Sequence, residues 1–363
     1  MKKKILHVIN SLQPGGAEIL LTNSLSPGGL SEHTENHLAY FKGPSYLLNK
    51  LDKNVHIHYL DYKGARDIVR LIRKLRQVII NNKIDIVHSH LNPAGLYTHI
   101  ACPGNIPHVH TLHTTYSMDK ETSKLKLWVE KHFYFLKKNT NVILLSDYIR
   151  QDFLNSLSFK GRSFVLGNFV PDIYFELAIK KVKPAHKEFK LIAIGTLKPL
   201  KNFEYLLEVF RHLKRENISL DIYGGGNKEP YEAVIKKSGV KVRMMGHVNN
   251  LEPVIPLYNL FIMPSKFEGF PLSVFEAMAA GLPLMLSNIA PLKSIVKENA
   301  LYFELNDAEK VSEQLVAILQ NKIDINAMAV KAKAYAEKTV RRDIYIKKLL
   351  EIYEQVLLQK QTL

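Results

Sequence analysis

Two carboxylates flank a loop that is suited to binding an anion, within residues 264–281. Gly269 lets the backbone approach a ligand, and Pro271 suits the first turn of a helix, where free N–H groups and the positive dipole end favour phosphate. Glu268 lies in this loop, and Glu276 lies about a turn and a half into the helix. Phosphate repels carboxylates, so both glutamates are expected to accept hydrogen bonds from sugar or ribose hydroxyls. The alternative is that Glu268 only complements the helix dipole and Glu276 faces water.

Short sequence signals predict the elements that hold this loop. The apolar run Leu-Phe-Ile-Met at 260–263 has the length and composition of a buried strand. Gly281 suits a left-handed cap at the end of the helix, and Pro283 prevents its continuation. The sequence therefore predicts a strand, a loop that carries the candidate anion site, and a helix.

The same stretch resembles the donor-site signature of glycosyltransferase family 4: Glu-Gly-Phe-Pro, then Glu276, then Ala-x-Ala-x-Gly-x-Pro. Members of this family are retaining, nucleotide-sugar-dependent enzymes of the GT-B fold, and they need no metal. The resemblance implies that Glu276 holds the ribose and that Glu268 lies beside the donor sugar. It also implies that the backbone along the sugar and phosphate comes from Gly269, Phe270, Pro271 and Leu272.

A second loop, at 195–202, resembles the family's diphosphate-binding loop and reads Gly-Thr-Leu-Lys-Pro-Leu-Lys-Asn. The family places an arginine directly after the glycine and a lysine five residues later. Lys201 matches that lysine, whereas Thr196 occupies the arginine position and removes one charge from the leaving-group site. Lys198 offers a nearby charge, but lysine lacks the planar bidentate fork of arginine.

Two further turns resemble family segments that lie near the nucleotide. Gly224 and Gly226 belong to a Gly-Gly-Gly-Asn turn after an apolar strand, although a tight turn alone would explain these glycines. The strand and turn at 242–248 match the place where family members hold the base through backbone contacts, which gives Val248 that role.

The first half of the chain opens with a strand at 4–9, a turn that contains Gly15 and Gly16, and a helix near 19–26. This order begins a doubly wound α/β unit, whose ligand lies at the carboxyl end of the strand. Neither a full dinucleotide fingerprint nor a P-loop lysine is present, which disfavours nicotinamide and ATP. The resemblance makes Gly15 and Gly16 the loop that faces the donor phosphate and the acceptor.

Histidines alternate along two strand-like runs, at 84–90 and 107–113. Imidazole is a common zinc ligand, but no acidic or cysteine ligand lies at a helical or hairpin spacing that would complete a site. The resemblance assigns His113 to the donor sugar, which it would reach from the first domain, and implies that no metal or cofactor is needed. The alternative for His113 is a core or loop-capping histidine.

Composition limits the partners of the chain. Its 363 residues suit two domains, and its formal net charge of +16 calls for an anionic partner: a phosphorylated substrate, lipid headgroups or nucleic acid. Nucleic acid is the weaker choice, because the zinc ligands and the basic-aromatic strand motif of a nucleic-acid-binding protein are missing. No apolar run approaches the roughly 18 residues of a membrane span, and the single cysteine, Cys102, suits a reducing cytoplasm. Basic amphipathic helices at 65–82 and 122–138 are either solvated outer faces or peripheral contacts with an anionic membrane.

These observations predict an α/β protein with the GT-B fold, in which two doubly wound Rossmann-like domains face a central cleft. The expected acceptor-binding domain covers 1–178, with a C-terminal helix at 343–363 packed on it, and the expected donor-binding domain covers 188–342.

The predicted activity is retaining transfer of a sugar from a UDP- or GDP-linked donor to a glycan or lipid-linked glycan, in cell-surface polysaccharide biosynthesis. The predicted catalytic residues are His113, Glu268 and Lys201. One alternative is a GT-B epimerase that acts on sugar nucleotides. Another is a nucleotide-binding scaffold with a decayed donor site, for which Thr196 is the indication.

Overall fold

The chain folds into two compact units, Met1–Phe169 with Arg342–Leu363, and Val170–Arg341. The computed structural model describes residues 2–113, 140–157, 159, 161–177, 188–213, 216–248 and 250–360. The predicted basic helix at 122–138 and residues 179–187 between the two predicted domains lie outside this part of the chain.

The first unit is built on a parallel seven-stranded sheet with the strand order β3-β2-β1-β4-β5-β6-β7. Its strands are β1 (Lys4–Ile9), β2 (Glu35–Tyr40), β3 (His56–Tyr59), β4 (Ile86–His90), β5 (His108–Leu112), β6 (Thr140–Leu144) and β7 (Arg162–Val165). Its helices in this part of the chain are α1 (Gly16–Ser24), α2 (Ile68–Asn81), α3 (Ala94–Ala101) and α4 (Asp147–Ser156). Short 3-10 turns lie at Leu30–Glu32, Leu48–Lys50 and Ala65–Asp67.

The central strand β1 is buried on both faces, as a parallel sheet covered by helices requires. Ile5 and Ile9 pack into one apolar cluster, whereas Leu6 and Val8 pack into a second cluster. Successive side chains of a strand point to opposite faces, so one core lies on each side of the sheet. The apolar stripe of α2 belongs to the second core.

The second unit is built on a six-stranded parallel sheet with the order β10-β9-β8-β11-β12-β13. Its strands are β8 (Phe189–Ile194), β9 (Ile218–Tyr223), β10 (Val242–Gly246), β11 (Leu260–Met263), β12 (Leu284–Ser287) and β13 (Leu301–Phe303). Its described helices are α5 (Ile173–Glu176), α6 (Phe203–His212), α7 (Glu229–Ser238), α8 (Leu272–Ala280), α9 (Ala290–Val296), α10 (Ala308–Leu319) and α11 (Ile325–Thr339). Its 3-10 turns are Pro199–Lys201 and Ile255–Leu257.

The chain returns to the first unit through its last helix, α12 (Arg342–Lys360). Leu349 and Tyr353 of this helix are buried in the same cluster as Ile5 of β1. The first unit ends at Phe169, earlier than the predicted boundary at 178. The reason is that the residues that follow, Val170 to Phe175, place three side chains in the core of the second unit.

None of the helices in the described part of the chain combines the length with the apolar character that crossing a membrane requires.

Candidate functional site

The helices that follow β8 and β11 pack on opposite faces of the second sheet, so the carboxyl ends of these two strands mark the switch point of the sheet. The neighbours of β8 are β9 and β11. Helix α6, which follows β8, packs with Leu191 in one core, whereas helix α8, which follows β11, packs with Ile192 in the other. Leu191 and Ile192 are consecutive and face opposite ways. Open α/β sheets bind their ligands in the crevice at such a switch point.

Glycines let the loops after β8 and β9 lie directly against each other at this edge. A Cβ atom on Gly224 would overlap the carbonyl oxygen of Gly195. The two loops are joined by hydrogen bonds of 2.9 Å from Gly195 N to Tyr223 O and from Leu197 N to Gly225 O. Gly226 adopts a φ of 135°, which side-chain-bearing residues rarely adopt. Gly224 is therefore required by backbone packing, beyond the turn that the sequence indicated.

Lys201 and Glu268, which the sequence predicted separately, meet in the structure. Lys201 Nζ lies 2.6 Å from Glu268 Oε1, and Ser265 Oγ donates to the same oxygen at 2.5 Å. The aliphatic part of Lys201 passes over Gly195, where a Cβ would lie 3.2 Å from Lys201 Cδ. Glu268 is only 7% exposed, so its charge is compensated mainly by this lysine.

Hydrogen bonds to backbone carbonyl oxygens hold the loops after β8 and β11 together. Asn202 Nδ2 donates to Pro264 O at 3.2 Å, and Lys266 N donates to Leu200 O at 2.8 Å. Ser287 Oγ, at the end of β12, donates to Ser265 O at 2.6 Å. Sequence reasoning missed these supporting residues. Only Asn202 offered a signal, since asparagine is one of the few residues that tolerate its left-handed φ of 55°.

Helix α8 presents its first turn to the same edge. It begins at Leu272, so Pro271 lies at the N-cap, one position before the predicted first turn. The helix has no side-chain cap there, and the first N–H groups are not engaged by a capping side chain. Phe270 stacks on Phe275 with ring centroids 4.5 Å apart, which fixes the loop against the helix. Gly281 ends the helix with a left-handed φ of 82°, as its sequence position indicated.

Glu276 is a carboxylate for which the described part of the chain supplies no partner. It is half-buried, and it makes no hydrogen bond or ion pair with any residue that the structure describes. Burial, with a smaller contribution from Glu252, raises the pKa of Glu276 to about 7. Glu276 and Glu252 also lie near Tyr174 of α5. Burial of the Tyr174 phenol raises its pKa, and the negative charges of these two glutamates raise it further. An isolated, partly desolvated acceptor of this kind is available to ligand hydroxyls.

The other residues predicted to bind the donor nucleotide-sugar, Thr196 and Val248, differ in their exposure to solvent. Thr196 is exposed, and its carbonyl accepts a 2.8 Å hydrogen bond from Lys198 N. The Lys198 side chain is exposed as well. Val248, after β10, is half-buried and packs against the core that contains α8.

In the first unit, the predicted glycine turn follows β1 and starts α1. Gly15 is the N-cap, with extended backbone (φ −153°), and accepts a 2.9 Å hydrogen bond from Ile19 N. A Cβ on Gly15 would collide with the carboxylate of Glu18, which folds back over the turn. Gly16 is exposed, and a Cβ there would meet open space. Burial raises the pKa of Glu18.

His113 follows β5, at the same carboxyl edge as Gly15. Burial lowers the pKa of His113 to about 4, so the ring is neutral at physiological pH. Its Nε2 has no hydrogen-bond partner among the described residues. The ring centroid of His90 lies 6.3 Å away. The neutral ring can donate or accept one hydrogen bond through this nitrogen.

The alternating histidines form a hydrogen-bonded layer in the core of the first unit. His7, His88 and His90 bring their ring nitrogens within 4.8 Å of one another. His88 already uses both nitrogens, through Tyr353 OH and Thr111 Oγ1, each at 2.7 Å. These contacts account for the position of His88 without a metal.

Family models match both halves of the chain. The model "Glycosyltransferase Family 4" matches residues 27–172, and the model "Glycosyl transferases group 1" matches residues 175–339. The chain belongs to glycosyltransferase family 4 and has the GT-B fold, so the predicted family and fold are confirmed. It is a glycosyltransferase.

Curated relatives include bacterial polysaccharide enzymes. A UDP-Gal:alpha-D-GlcNAc-diphosphoundecaprenol alpha-1,3-galactosyltransferase of Escherichia coli is 26% identical over 83% of this chain and 80% of its own. The capsular polysaccharide biosynthesis glycosyltransferase CapH of Staphylococcus aureus is 24% identical over 83% of this chain and 87% of its own.

Solved structures share the fold along nearly the whole chain. A glycosyltransferase from Rickettsia africae has a TM-score of 0.79 at 16% identity, covering 98% of this chain and 99% of its own. Anabaena Alr3699/HepE, solved in complex with UDP and glucose, has a TM-score of 0.76 at 17% identity, covering 97% of this chain and 100% of its own.

Proposed function

We propose that this enzyme transfers a sugar, with retention of anomeric configuration and without a metal, from a nucleoside-diphosphate sugar to a glycan or lipid-linked glycan. The names of the E. coli relative and the HepE complex favour a UDP-linked donor over a GDP-linked one. The first unit is the acceptor-binding domain and the second unit is the donor-binding domain in this proposal.

The observation that carries the proposal is the carboxylate of Glu276 at the switch point of the second sheet, which has no hydrogen-bond or ion-pair partner among the residues that the structure describes. An ionised carboxylate is an acceptor only, and two vicinal ribose hydroxyls are donors that match its two oxygens. Their hydrogen bonds would stabilise the charged form and offset its desolvation, which lowers the pKa of Glu276 on binding.

The diphosphate would bind beside Lys201 and the first turn of α8. Lys201 supplies one cation, and the uncapped first turn of α8, after Gly269, supplies backbone N–H groups. Phosphate binding would draw Lys201 Nζ toward the ligand and leave Glu268 free to accept a hydrogen bond from the donor sugar. Thr196, in the family's arginine position, makes Lys201 carry more of the leaving-group stabilisation.

Catalysis would depend on positioning and electrostatics. The bond between the anomeric carbon and the diphosphate oxygen breaks while the acceptor oxygen forms the new glycosidic bond. The proton of the acceptor hydroxyl passes to the departing diphosphate oxygen, and Lys201 stabilises the negative charge that develops on the diphosphate. In this proposal His113 keeps the role toward the donor sugar that the family resemblance gives it, and its Nε2 has no hydrogen-bond partner among the described residues. Gly15 and Gly16 likewise keep their role toward phosphate and acceptor.

The acceptor in this proposal is a glycan on a lipid carrier at the cytoplasmic face of the membrane. The name of the E. coli relative gives a diphosphoundecaprenol-linked sugar as its acceptor. The net charge of +16 favours binding of this chain to an anionic membrane surface. Arg73 is exposed on the outer face of α2 and is a candidate contact. Sedimentation with anionic liposomes at low salt tests this part, and failure to co-sediment would exclude it.

The donor proposal is tested by thermal unfolding with UDP-, GDP-, dTDP- and ADP-sugars. A ligand at 100 times its dissociation constant adds about 2.7 kcal/mol of stability, which raises the midpoint. The rise should occur with one donor class and should disappear in Lys201→Ala and Glu276→Ala, but persist in the exposed-site controls Lys331→Ala and Glu313→Ala. No rise with any donor would contradict the donor proposal. A rise with a donor that is transferred to no acceptor would favour the nucleotide-binding scaffold, and conversion of a donor without acceptor would indicate an epimerase.

A further inference from the structure

Four side chains that can ligate a metal share one face at the edge of the first unit's sheet. Strands β2 and β3 pair in parallel, with His37 opposite His56 and Ala39 opposite His58. Side chains two residues apart on a strand point the same way, so Glu35 and His37 of β2 face the same side as His56 and His58 of β3. We call these four residues the edge histidine cluster.

The ligating atoms of this cluster are already close together. One such atom from each of Glu35, His37 and His56 lies within 4.8 Å of the others. His37 Nδ1 lies 3.0 Å from His58 Nε2, and His37 Nε2 lies 3.4 Å from Glu35 Oε1. The rings of His37 and His56 stack with centroids 4.6 Å apart. Because His37 can give one ion only one of its two ring nitrogens, the set whose ligating atoms already lie together is Glu35, His37 and His56, and His58 lies against the other nitrogen of His37.

Burial within the cluster is graded in a way that suits an ion arriving from solvent. His37 is buried, Glu35 and His58 are half-buried, and His56 is exposed. A buried residue fixes the inner part of the site, and the exposed one leaves a path to it. Glu35 Oε1 also pairs with Lys4 Nζ at 2.9 Å, and Lys4 is sufficiently exposed to turn to water when an ion takes its place.

We propose that the edge histidine cluster binds a divalent transition-metal ion, Zn²⁺ in the first instance. Imidazole nitrogen and carboxylate oxygen are zinc ligands, with Zn–N distances of about 2.0–2.1 Å. Two ligand atoms on one tetrahedral zinc ion therefore lie about 3.3 Å apart. This is close to the 3.4 Å between His37 Nε2 and Glu35 Oε1. Imidazole ligands also suit Cu²⁺ and Ni²⁺, which serve as comparison ions.

The buried trio His7, His88 and His90 is a weaker candidate, although its ring nitrogens are equally close. All three residues are buried, and both nitrogens of His88 are engaged by protein hydroxyls. An ion there would have to break two 2.7 Å hydrogen bonds and would lack the exposed ligand that the edge cluster offers.

The edge histidine cluster lies away from the residues proposed for sugar transfer. Glu35 and His56 are the first residues of β2 and β3, whereas Gly15 and His113 follow the carboxyl ends of β1 and β5. Because all strands of this sheet are parallel, these positions lie at opposite ends of the strands. The ion would therefore act structurally, by joining β2 to β3, the last strand of the sheet on that side.

Calorimetric titration of the EDTA-treated full-length protein with ZnCl₂ tests this proposal. One zinc ion should bind per chain and raise the midpoint of thermal unfolding. The double variant His56→Gln with His58→Gln should bind at least about 10-fold more weakly and lose the rise. His33→Gln, which removes an exposed histidine outside the cluster, should bind zinc as the wild type does.

Two results would overturn the proposal. One is the absence of zinc binding by the wild-type protein. The other is wild-type affinity in the double variant, which would place the ion elsewhere, for instance at His7 and His90. If the double variant is less stable than wild type in EDTA, the single variant His56→Gln provides the comparison, because this exposed side chain contributes little to the core.

Discussion

Replacing Glu276 by glutamine should stabilise the protein above pH 7 and weaken donor binding. Burial, and then Glu252, raises the pKa of Glu276 from 4.5 to about 7. The folded chain therefore holds this proton more tightly than the unfolded chain, so Glu276 reduces stability as pH rises from about 4.5 to about 7. Each pKa unit is worth about 1.4 kcal/mol, which gives about 3 kcal/mol in full. The residual exposure of the side chain reduces this to about 1–2 kcal/mol.

Urea unfolding of the wild type and Glu276→Gln at pH 5 and pH 8 measures this effect. At pH 8 the variant should be more stable by about 1–2 kcal/mol, which corresponds to a rise of about 2–8 °C in the midpoint of thermal unfolding. At pH 5 the two proteins should be nearly equal, because the Glu276 carboxyl is then mostly neutral in the folded wild type and pH 5 lies near the lower end of the range over which stability is lost. Donor affinity should fall at least about 10-fold, because hydrogen bonds to a charged acceptor contribute about 1.5–3 kcal/mol.

The exposed residue Glu313 provides the matched control, and Glu313→Gln should change neither stability nor donor affinity. The reasoning is refuted if Glu276→Gln is no more stable than wild type at pH 8, or if its stability difference is the same at both pH values. Unchanged donor affinity would remove Glu276 from the ribose site even if the stability result holds.

Three further substitutions test individual contacts. Lys201→Met leaves the buried carboxylate of Glu268 without its cation, so urea unfolding should show a loss of about 3 kcal/mol, part of which Glu268→Gln should recover. Gly224→Ala places a methyl group against a neighbouring carbonyl, so calorimetry should show a loss of about 1–3 kcal/mol and donor binding should weaken. Tyr353→Phe removes the hydroxyl that bonds His88 Nδ1, and the first unit should lose about 1–2 kcal/mol in thermal unfolding.

Each of these substitutions has a control in the same chain. Lys331→Met removes an exposed lysine, Gly104→Ala adds a Cβ in open space, and Tyr345→Phe removes a hydroxyl from another buried tyrosine of α12. Equal effects of a substitution and its control would contradict the contact in question. A fully stable Lys201→Met variant would show that Ser265 alone satisfies Glu268.

The alternation of buried strands and amphipathic helices made the fold predictable. Each of the two halves opens with a short apolar run followed by a glycine-containing turn, as at Gly15 and Gly195. In the structure each apolar run is a strand, β1 or β8, and the turn directly follows it. The boundary between the units was harder to place. Whether residues 170–175 belong to the first or second unit depends on which core Tyr174 enters, and that is a long-range packing choice.

The candidate site was predicted as separate residues, and their contacts were not. The sequence indicates Lys201 and Glu268 by motif, but the 2.6 Å pairing requires the loops after β8 and β11 to touch, 67 residues apart in the chain. The packing reason for Gly224 also depends on a distant carbonyl, that of Gly195. Long-range backbone approach leaves no local sequence pattern.

The electrostatic state of Glu276 was equally inaccessible to sequence reasoning. The signature predicts that Glu276 contacts a ligand, but a position in the second turn of a helix does not show how far the carboxylate is desolvated. Its raised pKa arises from burial, with a contribution from Glu252, which lies in a different loop. The edge histidine cluster was missed because its members come from two strands whose pairing and register were unknown.

Isothermal titration of the donor nucleotide into wild type, Glu276→Gln and Glu313→Gln, at pH 7.5, tests the central claim most directly. Our account predicts one nucleotide per chain, wild-type affinity in Glu313→Gln and at least about 10-fold weaker binding in Glu276→Gln. Equal affinities in all three proteins would contradict the assignment of the nucleotide to the switch point of the second sheet.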